Sequence, residues 1–214
     1  MQSIALINQK GGVGKTTIAL HLTTGFVSAG YQTVLLDLDP QASAAEWKDA
    51  RDGEEPVVMA IPASRLLKVA DEVGRAGAEI LIMDTAPHSE GTALDAARLA
   101  DLIIVPCQPS IMDLRAMRKT ADLLKHLKKP TFALMNGVAP QGAVAEEAAG
   151  AITAQYGIPI CPVRFGVRVA FNRCLISGQT APEFEPGGKA AQEAIELFEW
   201  ACKLVGLPAS KIAA

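Results

Sequence analysis

The 214-residue chain lacks the features that would place it in a membrane or an oxidising compartment. No run reaches the roughly 18 uninterrupted apolar residues of a membrane span, and no charged segment leads into an apolar secretory stretch. The four cysteines show no C-x-x-C spacing, which argues against a zinc site or a redox dithiol. We therefore expect a cytoplasmic protein whose cysteines are reduced and buried.

The chain also lacks a dominant charge of either sign. Its formal net charge is −3, which gives no overall attraction to nucleic acid or to a membrane surface. Residues 1–100 carry 8 Lys and Arg against 13 Asp and Glu, whereas residues 101–214 carry 12 against 10. An anionic partner is therefore expected to meet the second half of the chain.

Short apolar runs alternate with helical patterns along the chain. The runs predict strands within 3–8, 33–39, 79–84, 102–106, 131–136 and 158–163. Helices are predicted within 15–29, 64–75, 91–100, 112–128, 143–155, 168–177 and 188–205, and the irregular segment 49–62 as surface loop plus a short strand. This alternation predicts an α/β fold, a doubly wound, mostly parallel sheet with helices on both faces. With 50% hydrophobic residues and no linker, residues 1–214 are expected to form one domain.

A glycine-rich loop follows the first predicted strand. NQKGGVGKTT, residues 8–17, ends like the phosphate-binding pattern G-x-x-x-x-G-K-[ST], yet Gln9 stands where the first glycine belongs. A second lysine, Lys10, comes next. A strand, a glycine loop and a helix in this order gather backbone N–H groups and a helix N-terminus around one point, which forms an anion site.

The loop residues have separate expected tasks. Gly11, Gly12 and Gly14 let the backbone wrap phosphates without side-chain interference. Lys15 is predicted to reach the β- and γ-phosphates, and the Thr16 hydroxyl to ligate Mg²⁺.

Three carboxylates end predicted strands beside this loop. Asp84 closes EILIMD, where it is predicted to hold Mg²⁺, with a helix N-cap as the alternative. Asp37 and Asp39 lie two apart in TVLLDLD, which puts both on one face if the strand continues that far. One of them is expected to cap or brace the structure and the other to orient an attacking water.

NQKGGVGKTT, DLDPQAS and IMDTAP together resemble the ParA/MinD group of P-loop ATPases, and most of all the small ParA proteins of plasmid partition. The resemblance covers essentially the whole chain, and its deviant Walker motif K-G-G-x-G-K-T is highly specific. It implies ATP and Mg²⁺ as ligands. The implied nucleotide-binding residues of the loop are Lys10, Gly11, Gly12, Val13, Gly14, Lys15, Thr16 and Thr17.

The same resemblance gives Lys10 a role across a homodimer interface. It matches a lysine that reaches the partner subunit's nucleotide. Two sites that face each other then gain one cation for each triphosphate, so ATP becomes part of the interface and the dimer should depend on it.

Further roles are implied position by position. Asp39 matches the acid that positions or activates the hydrolytic water, Asp37 its neighbour near Mg²⁺, and Asp84 the Walker B carboxylate. Asn136 matches an asparagine that reads adenine, although Gly137 replaces the arginine that stacks on the base in many relatives. Arg164 matches a residue near base and ribose. The segments 85–91 and 106–110 match a switch that senses the γ-phosphate and a segment near the dimer interface.

The family resemblance further implies nonspecific DNA binding and an association with the nucleoid. Residues 115–129 hold six Lys and Arg against one Asp. The candidate DNA contacts are Arg115, Arg118, Lys119, Arg168, Arg173 and Lys189, with a solvated helix face as the alternative for each. No helix-turn-helix precedes the loop, so we expect a DNA-bound, ParB-like partner to supply sequence specificity and to stimulate a weak hydrolysis.

Other functions compete with plasmid partition. In relatives the same ATPase cycle positions chemoreceptor clusters or carboxysomes. A MinD-like membrane ATPase should end in a basic amphipathic helix, but Glu193, Glu196 and Glu199 make the last helix acidic. An iron–sulfur reductase needs cysteines shared across a dimer, and only Cys107 lies near a suitable loop. A small-molecule ligase would need a substrate pocket that the sequence does not reveal.

Overall fold

The fold is built on one sheet of seven parallel strands. The computed structural model describes residues 1–211, apart from the side chains of residues 111, 112, 114 and 115. The strands are β1 (Gln2–Leu6), β2 (Thr33–Asp37), β3 (Val57–Ala60), β4 (Ile80–Asp84), β5 (Leu102–Cys107), β6 (Thr131–Val138) and β7 (Ile160–Gly166). Their order across the sheet is β3-β2-β4-β1-β5-β6-β7, and every neighbouring pair is parallel.

Helices connect the strands and cover the sheet on both faces. They are α1 (Lys15–Ser28), α2 (Ser43–Asp49), α3 (Leu66–Arg75), α4 (Glu90–Leu99), α5 (Ile111–Leu124), α6 (Val144–Tyr156), α7 (Val169–Ile176), α8 (Ala181–Phe184) and α9 (Lys189–Leu204). A 3₁₀ turn at Ala63–Arg65 precedes α3. None of the helices within residues 1–211 is long and apolar enough to cross a membrane.

Two apolar cores lie on opposite faces of the sheet. β2, β4 and β5 are buried at every residue, as expected for strands that are covered on both sides. One core joins α1, α2, α7 and α9 to the sheet, and Phe26 and Phe198 are among its members. The other joins α3 to α6 to the opposite face, around residues such as Met83 and Met117. The predicted doubly wound α/β fold is therefore confirmed.

The predicted elements are present, with some shifted boundaries. The short strand expected within 49–62 is β3, whereas α2 and α8 were not predicted because each is too short to show a helical period. The helix predicted to reach residue 128 ends at Leu124, and Lys128 adopts a left-handed φ of 51° in the turn that follows. β2 ends at Asp37, so strand alternation does not position Asp39 as we expected.

The carboxyl edge of the sheet brings the site together. Asp84 is the register partner of both Leu6 in β1 and Asp37 in β2. The glycine-rich loop leaves this same edge immediately after β1. Ligands of open α/β sheets bind outside the carboxyl ends of the strands, so this edge is the expected place for a site.

Candidate functional site

The glycine-rich loop ends in a left-handed turn that opens α1. Gly12 has φ 73° and Gly14, the N-cap of α1, has φ 95°. These are conformations that glycine adopts without strain. Because Gly14 has no side chain to cap the helix, the N–H groups of the first turn of α1 stay available to a ligand. The loop therefore has the geometry of an anion site.

Asn136 packs directly against the loop. Its Nδ2 donates a hydrogen bond to the Val13 carbonyl at 2.8 Å. A Cβ atom added at Gly14 would lie 2.2 Å from that same Nδ2, so the contact needs glycine on the loop side. The structure thus places Asn136 beside the loop, and its contact with adenine stays a prediction.

Lys15 points its ammonium group into the loop. The residue is only 6% exposed, and its Nζ donates to the carbonyls of Asn8 and Lys10, both at 3.1 Å. Burial lowers the pKa of Lys15, while the carboxylates of Asp84 and Asp39 act in the opposite direction. A buried cation held only by backbone carbonyls is suited to a multiply charged anion.

Thr16 and Asp84 form a ready pair of oxygen ligands. The Thr16 hydroxyl donates to Oδ2 of Asp84 at 2.6 Å. The other oxygen of Asp84, Oδ1, is buried and has no hydrogen-bond partner among the described residues. Burial raises the pKa of Asp84 to about 7, and Asp37 and Asp39 add to the shift, against Thr16 and Lys15. A divalent cation would satisfy Oδ1 and favour the ionised carboxylate, so these residues fit Mg²⁺.

Among the described residues, no three His, Cys, Asp or Glu side chains converge as a metal site.

Asp37 organises the backbone that follows β2. Its Oδ2 accepts from Ala44 N–H at 2.9 Å and so holds the N-terminus of α2, while its Oδ1 accepts from Asp39 N–H at 3.0 Å. Burial raises the pKa of Asp37. Asp37 therefore braces the turn that carries Asp39, and its predicted position near Mg²⁺ remains a prediction.

Lys10 is held within its own chain. Its Nζ lies 2.7 Å from Oδ2 of Asp113, a residue of α5 that is 1% exposed. The Ser110 hydroxyl donates to the same oxygen, and Ser110 also accepts from Asp113 N–H at 3.1 Å. Sequence reasoning missed Asp113, although S-x-x-D before an apolar helix is a capping signal. In the single subunit, Lys10 is thus directed toward α5.

A cavity of about 620 Å³ lies beside the glycine-rich loop. Its walls include Gly11, Gly12, Gly14, Lys15, Thr16, Thr17 and Asp39. Glu46 and Trp47 of α2, and Leu175 and Ile176 of α7, also line it, and sequence reasoning missed these four residues. They come from distant parts of the chain, and no local pattern joins them to the loop.

The predicted DNA contacts separate into two groups. Arg168 is paired with Glu193 at 2.8 Å. Arg164, which we predicted near base and ribose, likewise forms a bidentate pair with Glu146 at 2.5 and 2.6 Å. Arg118 approaches Asp122 only to 3.9 Å. The side chains of Lys119, Arg173 and Lys189 are exposed, while that of Arg115 lies outside the described set.

The match to a known domain decides the family. Residues 4–175 match the CobQ/CobB/MinD/ParA nucleotide binding domain. The chain belongs to this family. The ParA/MinD resemblance is therefore confirmed.

Individual CobQ/CobB/MinD/ParA relatives differ in the processes they are named for. The maintenance of carboxysome distribution protein A of Gloeobacter kilaueensis is 35% identical over 119 residues, covering 55% of this chain and 54% of that protein. The chromosome partitioning protein ParA of Caulobacter vibrioides is 30% identical over 156 residues, 63% of this chain and 58% of that one. In both cases the match spans less than two thirds of the relative's length.

The fold extends further than the sequence similarity does. A Cyanothece McdA variant in complex with ATP superposes with a TM-score of 0.77 at 15% identity, covering 97% of each chain. At that identity the likeness concerns the fold alone. In that related fold the bound ligand is ATP.

Proposed function

We propose that the protein is an ATPase of the ParA type that uses Mg²⁺. One observation carries this proposal: Lys15, Thr16 and Asp39 line a single cavity at the carboxyl edge of the sheet, and Thr16 is hydrogen-bonded to the buried Asp84.

Each residue has a stated task in this proposal. Lys15 and the N–H groups of residues 11–17 bind the phosphates. Thr16 and Asp84 hold Mg²⁺, with Asp37 nearby, and Asp39 orients the attacking water toward the γ-phosphate. Asn136 and Arg164 contact the base and ribose. Hydrolysis is slow until a partner stimulates it.

The ATP-bound state is proposed to be a homodimer. Lys10 leaves Asp113 and reaches the partner subunit's triphosphate, so the interface contains nucleotide and forms only when ATP is bound. Hydrolysis then dissolves the dimer. Lys10 would exchange the Asp113 carboxylate for a triphosphate. Because both partners are anionic, the transfer is electrostatically feasible.

The dimer is proposed to bind DNA nonspecifically on the nucleoid and to move a cargo there. The motifs favour a plasmid that is marked by a ParB-like protein. The similarity to a carboxysome distribution protein favours a second cargo, a protein-bounded body, served by the same cycle. Both cargoes require the same ATP-gated DNA binding.

Retention of random-sequence duplex DNA with ATP, ADP or no nucleotide tests the proposal. We expect retention with ATP alone, together with slow phosphate release that Asp39→Ala abolishes while the ATP-bound dimer persists. Equal DNA retention with ATP, with ADP and without nucleotide would contradict the proposal. Hydrolysis by Asp39→Ala at the wild-type rate would also contradict it.

A further inference from the structure

The end of α5 forms a basic groove far from the nucleotide cavity. The helix stops at Leu124, and the turn that follows leads to Pro130 and into β6. Between this turn and the end of α6 lies a cavity of about 490 Å³. Lys125, Lys128 and Lys129 line it, and we call it the lysine groove.

The charge of the lysine groove is not neutralised locally. Within the described part of the chain, no carboxylate lies within 4.0 Å of the ammonium groups of Lys125, Lys128 or Lys129. Asp122 is the one acidic residue of the lining, and Arg118 already approaches it. Arg168, one of the predicted DNA contacts, differs because it is paired with Glu193.

The position of the lysine groove leaves it open in a dimer. Thr131 begins β6 and Ile158 and Pro159 precede β7, so the groove lies at the amino edge of the sheet. The glycine-rich loop lies at the carboxyl edge. Two subunits that meet through their loops therefore do not cover their lysine grooves, and each dimer presents two of them.

One helix runs from the nucleotide loop to the lysine groove. Asp113, near the start of α5, holds Lys10, and Thr120 accepts from Gln9 N–H at 3.2 Å. The helix has 14 residues and so spans about 21 Å. A change in the contacts of Lys10 thus acts on the same rigid element that carries the groove.

We propose that the lysine groove binds the phosphate backbone of duplex DNA without reading its sequence. This inference rests on the proposed DNA binding and adds its location. Ammonium groups on flexible stems suit phosphates as point charges. Lys125 also complements the C-terminal dipole of α5, but Lys128 and Lys129 lie beyond the helix, where that interaction has faded. Two grooves on one dimer would make binding multivalent, which links retention to ATP.

The test compares two double variants of equal charge. Lys128→Gln with Lys129→Gln removes two cations from the lysine groove, and Lys68→Gln with Arg75→Gln removes two exposed cations from α3, which holds none of the candidate DNA contacts. Retention of random-sequence duplex by the full chain is measured with ATP over a range of salt concentrations. Each phosphate contact contributes about 0.9 to the slope of log affinity against log salt.

The lysine-groove variant should lose affinity at moderate salt, and its slope should fall by about 1.8 for each engaged groove. The α3 variant should match wild type. Both should keep wild-type ATP-dependent dimerisation and DNA-free phosphate release, because neither pair touches the nucleotide cavity.

Three results would overturn the inference. The first is a lysine-groove variant that equals wild type in affinity and slope. The second is an α3 variant that loses more affinity than the lysine-groove variant. Lysine-dependent binding to vesicles of anionic lipid without binding to duplex would also contradict it. If wild type retains no DNA in any nucleotide state, the proposed function is contradicted together with the groove. If wild type retains DNA and the lysine-groove variant does so equally well, only the DNA-binding role of the groove is refuted.

Discussion

At the scale of single residues, burial shifts the charges around the loop in ways that prepare them for ligands. It raises the pKa of Asp84 to about 7 and lowers that of Lys15, so both groups are less firmly charged than in water. Lys15 lines the nucleotide cavity, and Asp84 is hydrogen-bonded to Thr16, which also lines it. Binding of nucleotide and Mg²⁺ is therefore expected to complete the ionisation that burial disfavours.

His21, one turn into α1, gives the fold a measurable dependence on pH. Its Nδ1 donates to the Thr17 carbonyl at 2.7 Å, and its Nε2 accepts from Ala181 N–H at 2.9 Å, so the ring is held neutral. Burial lowers its pKa from 6.5 to about 4. As the pH falls, His21 is protonated in the unfolded chain before it is protonated in the folded chain. Its contribution to the free energy of unfolding is therefore complete above about pH 6.5 and is lost as the pH falls toward 4.

Urea unfolding at two pH values measures this effect. Between about pH 7.5 and about pH 5, His21 should account for a loss of about 2 kcal/mol in the free energy of unfolding. His21→Gln is the control, because Gln carries a donor and an acceptor but does not titrate. An equal pH dependence in His21→Gln and wild type would remove His21 as the cause.

At the scale of elements, α2 is fixed at its N-terminus by a nearby residue and toward its C-terminus by contacts distant in sequence. Asp37 holds its N-terminus, while Trp47 Nε1 donates to the Gln179 carbonyl at 3.0 Å. Arg51, just past the helix, pairs with Glu183 and donates to the Gly178 carbonyl at 2.8 Å. These bonds join the wall of the nucleotide cavity to the segment between α7 and α8.

Replacement of Arg51 by Ala should loosen this wall. We expect a loss of about 2 kcal/mol in the free energy of unfolding, because Glu183 and two carbonyls lose their donor. Weaker nucleotide binding should follow, since α2 lines the cavity. Arg75→Ala is the matched control. Its pair with Asp71 is exposed, so its loss should stay within about 0.5 kcal/mol.

Thermal and urea unfolding, with nucleotide titration, check this prediction. Equal stability losses in the two variants would show that Arg51 is only a surface residue. A stability loss without any change in nucleotide affinity would separate α2 from the site.

At the scale of the whole molecule, the proposed ATP-bound dimer depends on Lys10. It is 33% exposed in its side chain while Asp113 is 1% exposed, so the pair has one fixed and one movable member. The fixed carboxylate keeps Lys10 within the subunit until a stronger anion competes for it. A triphosphate on a facing subunit is such an anion.

Lys10→Ala should keep ATP binding but lose ATP-dependent dimerisation. The substitution also leaves Asp113 buried without its cation, which should cost about 1–2 kcal/mol of stability. Adding Asp113→Asn removes that buried charge, so the double variant should regain stability and still stay monomeric with ATP. Sedimentation velocity with ATP and with ADP provides the readout. A double variant that dimerises normally with ATP would exclude Lys10 from the interface.

The sequence by itself determined the alternation of strands and helices, the glycine loop and the acids at the strand ends. These features are local, because burial on both faces of a strand and the turn into α1 depend on neighbouring residues. The parallel sheet then brought Asp37 and Asp84 into register, as strand ends at one edge must meet.

Only the tertiary structure decided which charges are neutralised and which remain available. Lys10 meets Asp113 across 103 positions, and Arg51 meets Glu183 across 132. The same packing pairs Arg164 and Arg168 with glutamates, whereas the three lysines of the lysine groove have no ion pair among the described residues. Electrostatic partners are set by distance in space, and a pattern of neighbouring residues carries no information about that distance.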